Sequence, residues 1–223
     1  NDGGQNEILG SEIIAFDENT HYVYISSDAT KSYHPDKARL VIRRFVFLPP
    51  DHFVILDQVV SSKLEYKKSW LLHTATEPVI KSDEFYADQE NGRLFCKTLL
   101  PEKAILTKIG GPGKQFWSGD RNWPLPPSNR ERSTSQSDSG ELLGQWRMEI
   151  IPENPGNEDV FLHLIQVGDS MLESMVESTL LKSGEKVGVR FKYGQKEYEI
   201  MFNIKDKTGG RISLKQNGAE LIN

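Results

Sequence analysis

The sequence predicts an all-β chain folded as an antiparallel β-sandwich, of jelly-roll or supersandwich type, with a long polar loop and at most one short helix. Three observations carry this expectation. Short runs of β-branched and aromatic residues follow one another, with turn chemistry at roughly eight- to twelve-residue spacing. Two of the breaks are Asn-Gly pairs, Asn91-Gly92 and Asn217-Gly218, which suit two-residue hairpins because both positions tolerate positive φ. Only the stretch from Asp169 to Leu181 has helical spacing, through Met171, Leu172 and Met175, with Asp169 as a candidate cap; a strand pair explains it equally well.

The elements follow in order. His21 to Asp28 reads "HYVYISSD", a strand composition. Ala38 to Leu48 and Phe53 to Val60 flank "PPDH", where proline presets φ and Asp51 bonds locally, so the two runs form a hairpin. Within the first run, Arg44, Val46 and Leu48 share one face, and Phe45 and Phe47 the other. Lys67 to Ile80 gives another strand, and Asn91-Gly92 turns the next hairpin. Gly144 to Pro152 and Val160 to Gly168 resume the pattern after the loop. Val187 to Ile204 turns near Gly194-Gln195, and the last hairpin closes at Asn217-Gly218. The segment from Ser128 to Gly140 is low in complexity and is expected to be slack.

The chain of 223 residues is long enough to bury a core without staples, and its single cysteine, Cys96, permits no internal disulfide. Cys96 alternates with Phe95 and reads as a small core residue. A formal charge of −5 argues against the basic footprint of a nucleic-acid binder. No apolar run approaches the ~18 residues of a membrane helix, and "NDGGQNEILG" has neither the basic start nor the apolar centre of a signal peptide. The first residue is asparagine rather than methionine, so the chain is expected to be a processed product or a piece of something longer.

Candidate site residues are few. None of the five histidines lies at a metal-ligand spacing. His73 and His163 lie inside apolar strands, in core or cleft, while His52 belongs to a turn and is expected to be solvated. Asp57 ends the apolar run "FVILD" and would meet His73 if their strands pair. Such a pair sets a tautomer for acid/base work, or simply ties two strands together. In the loop spanning residues 110–141, Lys114, Phe116, Trp117, Arg121 and Trp123 cluster within ten residues. Aromatic rings beside cations suit an acidic polysaccharide, the ring stacking on the sugar and the cation meeting its carboxylate or sulfate. The alternative is that Phe116 and Trp117 staple the loop to the sandwich.

The run "YVYISSDATKSY", "VIRRFVFLPPDHFVILDQVVSS", "YKKSWLLHTATEP", "GRLFCKTLLPEKAILTKIGGPGKQFW" and "NWP" resembles the C-terminal β-sandwich region of heparinase II/III-like polysaccharide lyases. The resemblance spans Glu12 to Gln166 and is most specific where "RRFVFLPPDHFVILD" is followed by "WLLHT". It implies a parent in which an α-helical toroid joins the sandwich and acidic polysaccharide is cleaved by β-elimination. It also implies a periplasmic or secreted parent. A catalytic tyrosine and histidine come from the helical domain in that family. A further histidine, and a zinc site of two histidines and an aspartate, come from motifs upstream of the "YVYISSD" stretch. None of those motifs occurs here, so no catalytic residue, metal ligand or cofactor is carried over. Residues 1–223 are therefore expected to form one sandwich domain from the C-terminal part of a longer lyase, inactive without its helical partner. The expected sugar contacts are Lys114, Trp117, Arg121 and Trp123; no nucleic acid or membrane partner is expected. A non-catalytic carbohydrate-binding module using the same aromatics is the alternative.

Overall fold

The computed structural model describes residues 5, 10–123 and 144–222. In chain order the strands are β1 (Glu12–Glu18), β2 (Val23–Asp28), β3 (Ala38–Leu48), β4 (His52–Ser61), β5 (Trp70–Thr74) and β6 (Val79–Lys81). They continue as β7 (Glu84–Gln89), β8 (Gly92–Leu100), β9 (Ala104–Gly110), β10 (Trp117–Ser118), β11 (Arg121–Asn122) and β12 (Trp146–Pro152). The last six are β13 (Glu158–Asp169), β14 (Ser178–Ser183), β15 (Lys186–Tyr193), β16 (Lys196–Asn203), β17 (Gly210–Gln216) and β18 (Ala219–Ile222). The described residues contain no α-helix, only a 3₁₀ turn at Thr30–Ser32, and no helix long and apolar enough to cross a membrane.

Every pairing is antiparallel, and the strands form three layers. An eight-stranded sheet, in the order β1-β2-β3-β4-β13-β8-β7-β6, lies in the middle. The period-two alternation of its long strands gives it two apolar faces. Val54, Leu56, Leu162 and Leu164 pack with Val189, Phe191, Ile200 and Phe202 of the five-stranded sheet β14-β15-β16-β17-β18. Phe53, Ile55, Phe161 and Ile165 pack the other way, with Trp70, Met148 and Ile150 of the three-stranded sheet β5-β12-β9. Arg44, Val46 and Leu48 are buried on the first face, while Phe45 and Phe47 flank Phe53 on the second, with ring centroids 5.7 and 4.8 Å away.

Four elements differ from what the sequence predicts. The Asp169–Leu181 segment is neither helix nor strand pair. The Asp169 carboxylate accepts from the Met171 N–H at 2.8 Å, closing a local turn, and the Val176 N–H is taken by Gln166 Oε1, also at 2.8 Å. The chain then enters β14 with Met175 buried. The β7–β8 hairpin turns on Glu90-Asn91 rather than Asn91-Gly92, because Gln89 pairs with Gly92. Core register decides this: Phe85 faces Cys96, and a one-residue slip would turn both away from the core. The expected strand from Lys67 to Ile80 is two strands in different sheets. Thr74 Oγ1 bonds the Thr76 carbonyl at 2.8 Å, breaking the run ahead of Pro78. His52, expected in water, is buried. It shares the inward face of β4 with Val54 and Leu56, stacks 5.0 Å from Phe191, and places Nδ1 2.6 Å from Asp51 Oδ1.

Candidate functional site

The three-stranded sheet turns Trp70, Met148 and Ile150 inward, so its outer face carries the alternate residues Leu71, His73, Arg147 and Glu149. The aromatic part of the loop folds onto this face as the small β10–β11 hairpin. Its turn, Gly119-Asp120, has positive φ at both positions (58° and 59°), the geometry of a type I′ turn. The Phe116 N–H donates to Asn122 Oδ1 at 2.8 Å, and Trp123 Nε1 donates to the Ser118 carbonyl at 2.9 Å. Arg147 pins the hairpin to β12 by donating to the Trp117 carbonyl at 2.9 Å, while Glu149 holds the same guanidinium at 2.6 Å.

Each tryptophan carries its own cation. The Arg121 guanidinium lies 3.3 Å from the Trp123 ring centroid, and Lys114 Nζ lies 5.5 Å from that of Trp117. Trp123 is 46% exposed and Trp117 half-buried. The four residues singled out from the sequence therefore lie together on one hairpin at the protein surface. The hairpin backbone is thus anchored to the three-stranded sheet while Trp123 keeps 46% of its surface exposed. The Ser128–Gly140 segment lies outside the described residues.

Asp57 and His73 are not strand neighbours. Asp57 lies on β4, which pairs with β3 and β13, and His73 lies on β5, which pairs with β12 in another layer. Both Asp57 oxygens are taken by Arg43, with Nε at 2.7 Å and Nη2 at 2.8 Å. Yet the two residues line one cleft of about 610 Å³, which lies between the free edge of β5 and the outer face of β3–β4. Trp70, Phe161, Val41 and Val59 supply its apolar surface, and Tyr33, Tyr66, Lys67, Lys68 and Arg43 its polar rim. Lys68 is structural: it is buried, 2.9 Å from Asp159, and donates to the Gly156 carbonyl at 2.7 Å. Lys67 is exposed and makes no ion pair among the described residues. Arg43, Tyr66 and Lys67 were not singled out from the sequence. Arg43 had a signal: the tight β3–β4 turn pairs Leu48 with His52, and counting outward in register puts Arg43 opposite Asp57. Nothing local marks Lys67.

The electrostatics favour anion binding over proton transfer. Burial, followed by the nearby Arg147 charge, holds the His73 imidazole below its ordinary pKa, so it is neutral at pH 7. Among the described residues it has no carboxylate partner; Asp57 serves Arg43 and in turn raises the guanidinium pKa. Among the described residues no three His, Cys, Asp or Glu side chains converge to hold a metal ion. The zinc implied by the resemblance has no donor set among the described residues.

This architecture, a long central sheet flanked by a five-stranded and a three-stranded one, has counterparts of known structure. The fold is shared with heparan sulfate lyases. The heparan sulfate lyase HepC from Pedobacter heparinus is similar over 87% of this chain and 28% of its own, with a TM-score of 0.56 and 12% identity. A heparinase III gene product is similar over 86% of this chain and 27% of its own, with a TM-score of 0.55 and 13% identity. The chain thus spans less than a third of the length of the lyases it matches. No family model matches the chain, and none of the curated proteins does.

Proposed function

We propose that this chain is the C-terminal β-sandwich region of a heparinase II/III-like polysaccharide lyase, and that the parent cleaves uronate-containing acidic polysaccharide by β-elimination in the periplasm or outside the cell. The observation that carries this reading is the fold shared over 87% of the chain with a heparan sulfate lyase. β-Elimination needs a base at the proton beside the uronic carboxylate and an acid at the leaving oxygen. The described surface offers neither as a matched pair: Asp57 is bonded to Arg43 and His73 stands without a carboxylate. The role of this domain is to form a wall for the polymer, with Trp117 and Trp123 stacking on sugar rings and Arg121 and Lys114 meeting acidic groups.

Incubating the purified chain with several uronate polymers tests this. Cleavage would leave an unsaturated uronate whose conjugated carboxylate absorbs in the short-wavelength ultraviolet, and none is expected. Clear turnover by the chain alone would contradict the reading.

A second reading, a non-catalytic carbohydrate-binding module, is favoured by one observation: the hairpin is internally braced and offers Trp123 46% exposed. The two readings part on dependence. A module binds glycan at full strength alone, whereas a lyase wall binds measurably but weakly alone and more tightly beside the helical domain.

A further inference from the structure

We infer that the cleft between the free edge of β5 and the β3–β4 face is a second saccharide site, one that grips an acidic group of the chain through Arg43 and Lys67. This rests on the polysaccharide reading above, but it names a surface distinct from the tryptophan hairpin. Among the Lys and Arg side chains that line the cleft, Lys68 is held by Asp159, whereas Arg43 and Lys67 face solvent at its rim in a protein whose formal charge is −5.

Arg43 is built as a held fork. Asp57, itself largely buried, takes Nε and Nη2, while the guanidinium side chain remains 52% exposed. Its remaining N–H groups are fixed in direction, so little rotamer freedom is lost when an anion arrives. Lys67 stands on the same rim, exposed and without an ion pair among the described residues. The half-buried Tyr66 ring lines the same cleft and offers an aromatic surface of the kind a pyranose ring covers. The volume of about 610 Å³ falls within the ~300–1,000 Å³ of small-ligand clefts and admits a short saccharide. His73 joins this cleft to the hairpin side. It lines the cleft and pairs across β5–β12 with Arg147, which bonds the Trp117 carbonyl. One polymer can thus run from the tryptophans over the β5 edge into the cleft.

Calorimetry with a heparan sulfate hexasaccharide tests the assignment, using wild type, Lys67→Ala, Arg43→Lys and Trp123→Ala, each checked for an unchanged melting temperature. Arg43→Lys keeps the charge beside Asp57 but loses the fork. Lys67→Ala and Arg43→Lys should each weaken binding roughly fivefold, as expected for one charge-assisted hydrogen bond. A carboxyl-reduced, desulfated hexasaccharide should bind far more weakly, and inorganic sulfate should compete only at much higher concentration. Wild-type affinity in both cleft variants, with loss in Trp123→Ala, would overturn the cleft site and leave the polysaccharide reading standing. Equal affinity for the neutral hexasaccharide, or for free sulfate, would overturn the acidic-saccharide assignment. No binding by wild type would overturn both.

Discussion

A histidine stands at position 163 among Phe161, Leu162, Leu164 and Ile165, fully buried, where strand alternation alone would place another apolar side chain. Its ring lies 3.9 Å from the Trp70 ring, and Nδ1 meets Thr98 Oγ1 at 3.3 Å. Burial, with a smaller contribution from the Arg43 charge, lowers its pKa to about 3. The unfolded chain takes up a proton at this site near pH 6.5, whereas the folded chain does so only near pH 3. Stability is therefore complete above pH 6.5 and is lost progressively as pH falls toward 3. The loss from this one group is on the order of a few kcal/mol. Denaturant unfolding at pH 7, 5.5 and 4 should show that decline in wild type and a flatter dependence in His163→Phe, even if the variant is less stable at pH 7. Equal pH slopes in the two proteins would remove His163 as the cause.

The turn between β16 and β17 shows how one layer is tied to the next. Arg44, fully buried on the central sheet, donates to the carbonyls of Asn203, Asp206 and Lys207. Gln58 donates to the Ile204 carbonyl at 2.8 Å, and Ser26 Oγ to that of Lys207 at 2.8 Å. This turn lies between strands of the five-stranded sheet, so these bonds orient that sheet on the central one. Removing the guanidinium takes the Arg44 donor from the Asn203 and Asp206 carbonyls and opens a void in the space of a fully buried side chain. Arg44→Ala should cost about 3–5 kcal/mol in chemical denaturation; a loss below about 1 kcal/mol would show that the turn holds without it.

Much at this scale was legible. Gly194-Gln195 and Asn217-Gly218 turn as expected, because each has the positive φ its turn demands. The β3–β4 hairpin was legible too, and with it the Arg43–Asp57 pairing. What escaped was partner choice. β5 follows β4 in sequence but joins β12, some seventy residues later, so no local pattern announced that Asp57 and His73 belong to different layers. The hydrophobic spacing of Met171, Leu172 and Met175 fits a helix, but the Val176 N–H bonds the Gln166 side chain, and the Leu172 carbonyl that a helix would offer it accepts from Arg93 instead. The cleft was illegible for the same reason: its walls come from β3, β4, β5 and the segment at Tyr33.

For the molecule as a whole, a net charge of −5 repels a polyanion, so any affinity for acidic polysaccharide must come from a local band of cations and should weaken with added salt. The cations proposed to meet it, Arg121 and Lys114 on the hairpin and Arg43 and Lys67 at the cleft, belong to the three-stranded-sheet side, while the five-stranded layer packs on the opposite face of the central sheet. Hydrogen–deuterium exchange with and without heparan sulfate reads this directly. Slowed exchange in both Tyr66–Thr74 and Trp117–Trp123, absent at high salt, is the expected result; no change in either segment, or protection confined to the β14–β18 sheet, would contradict the account.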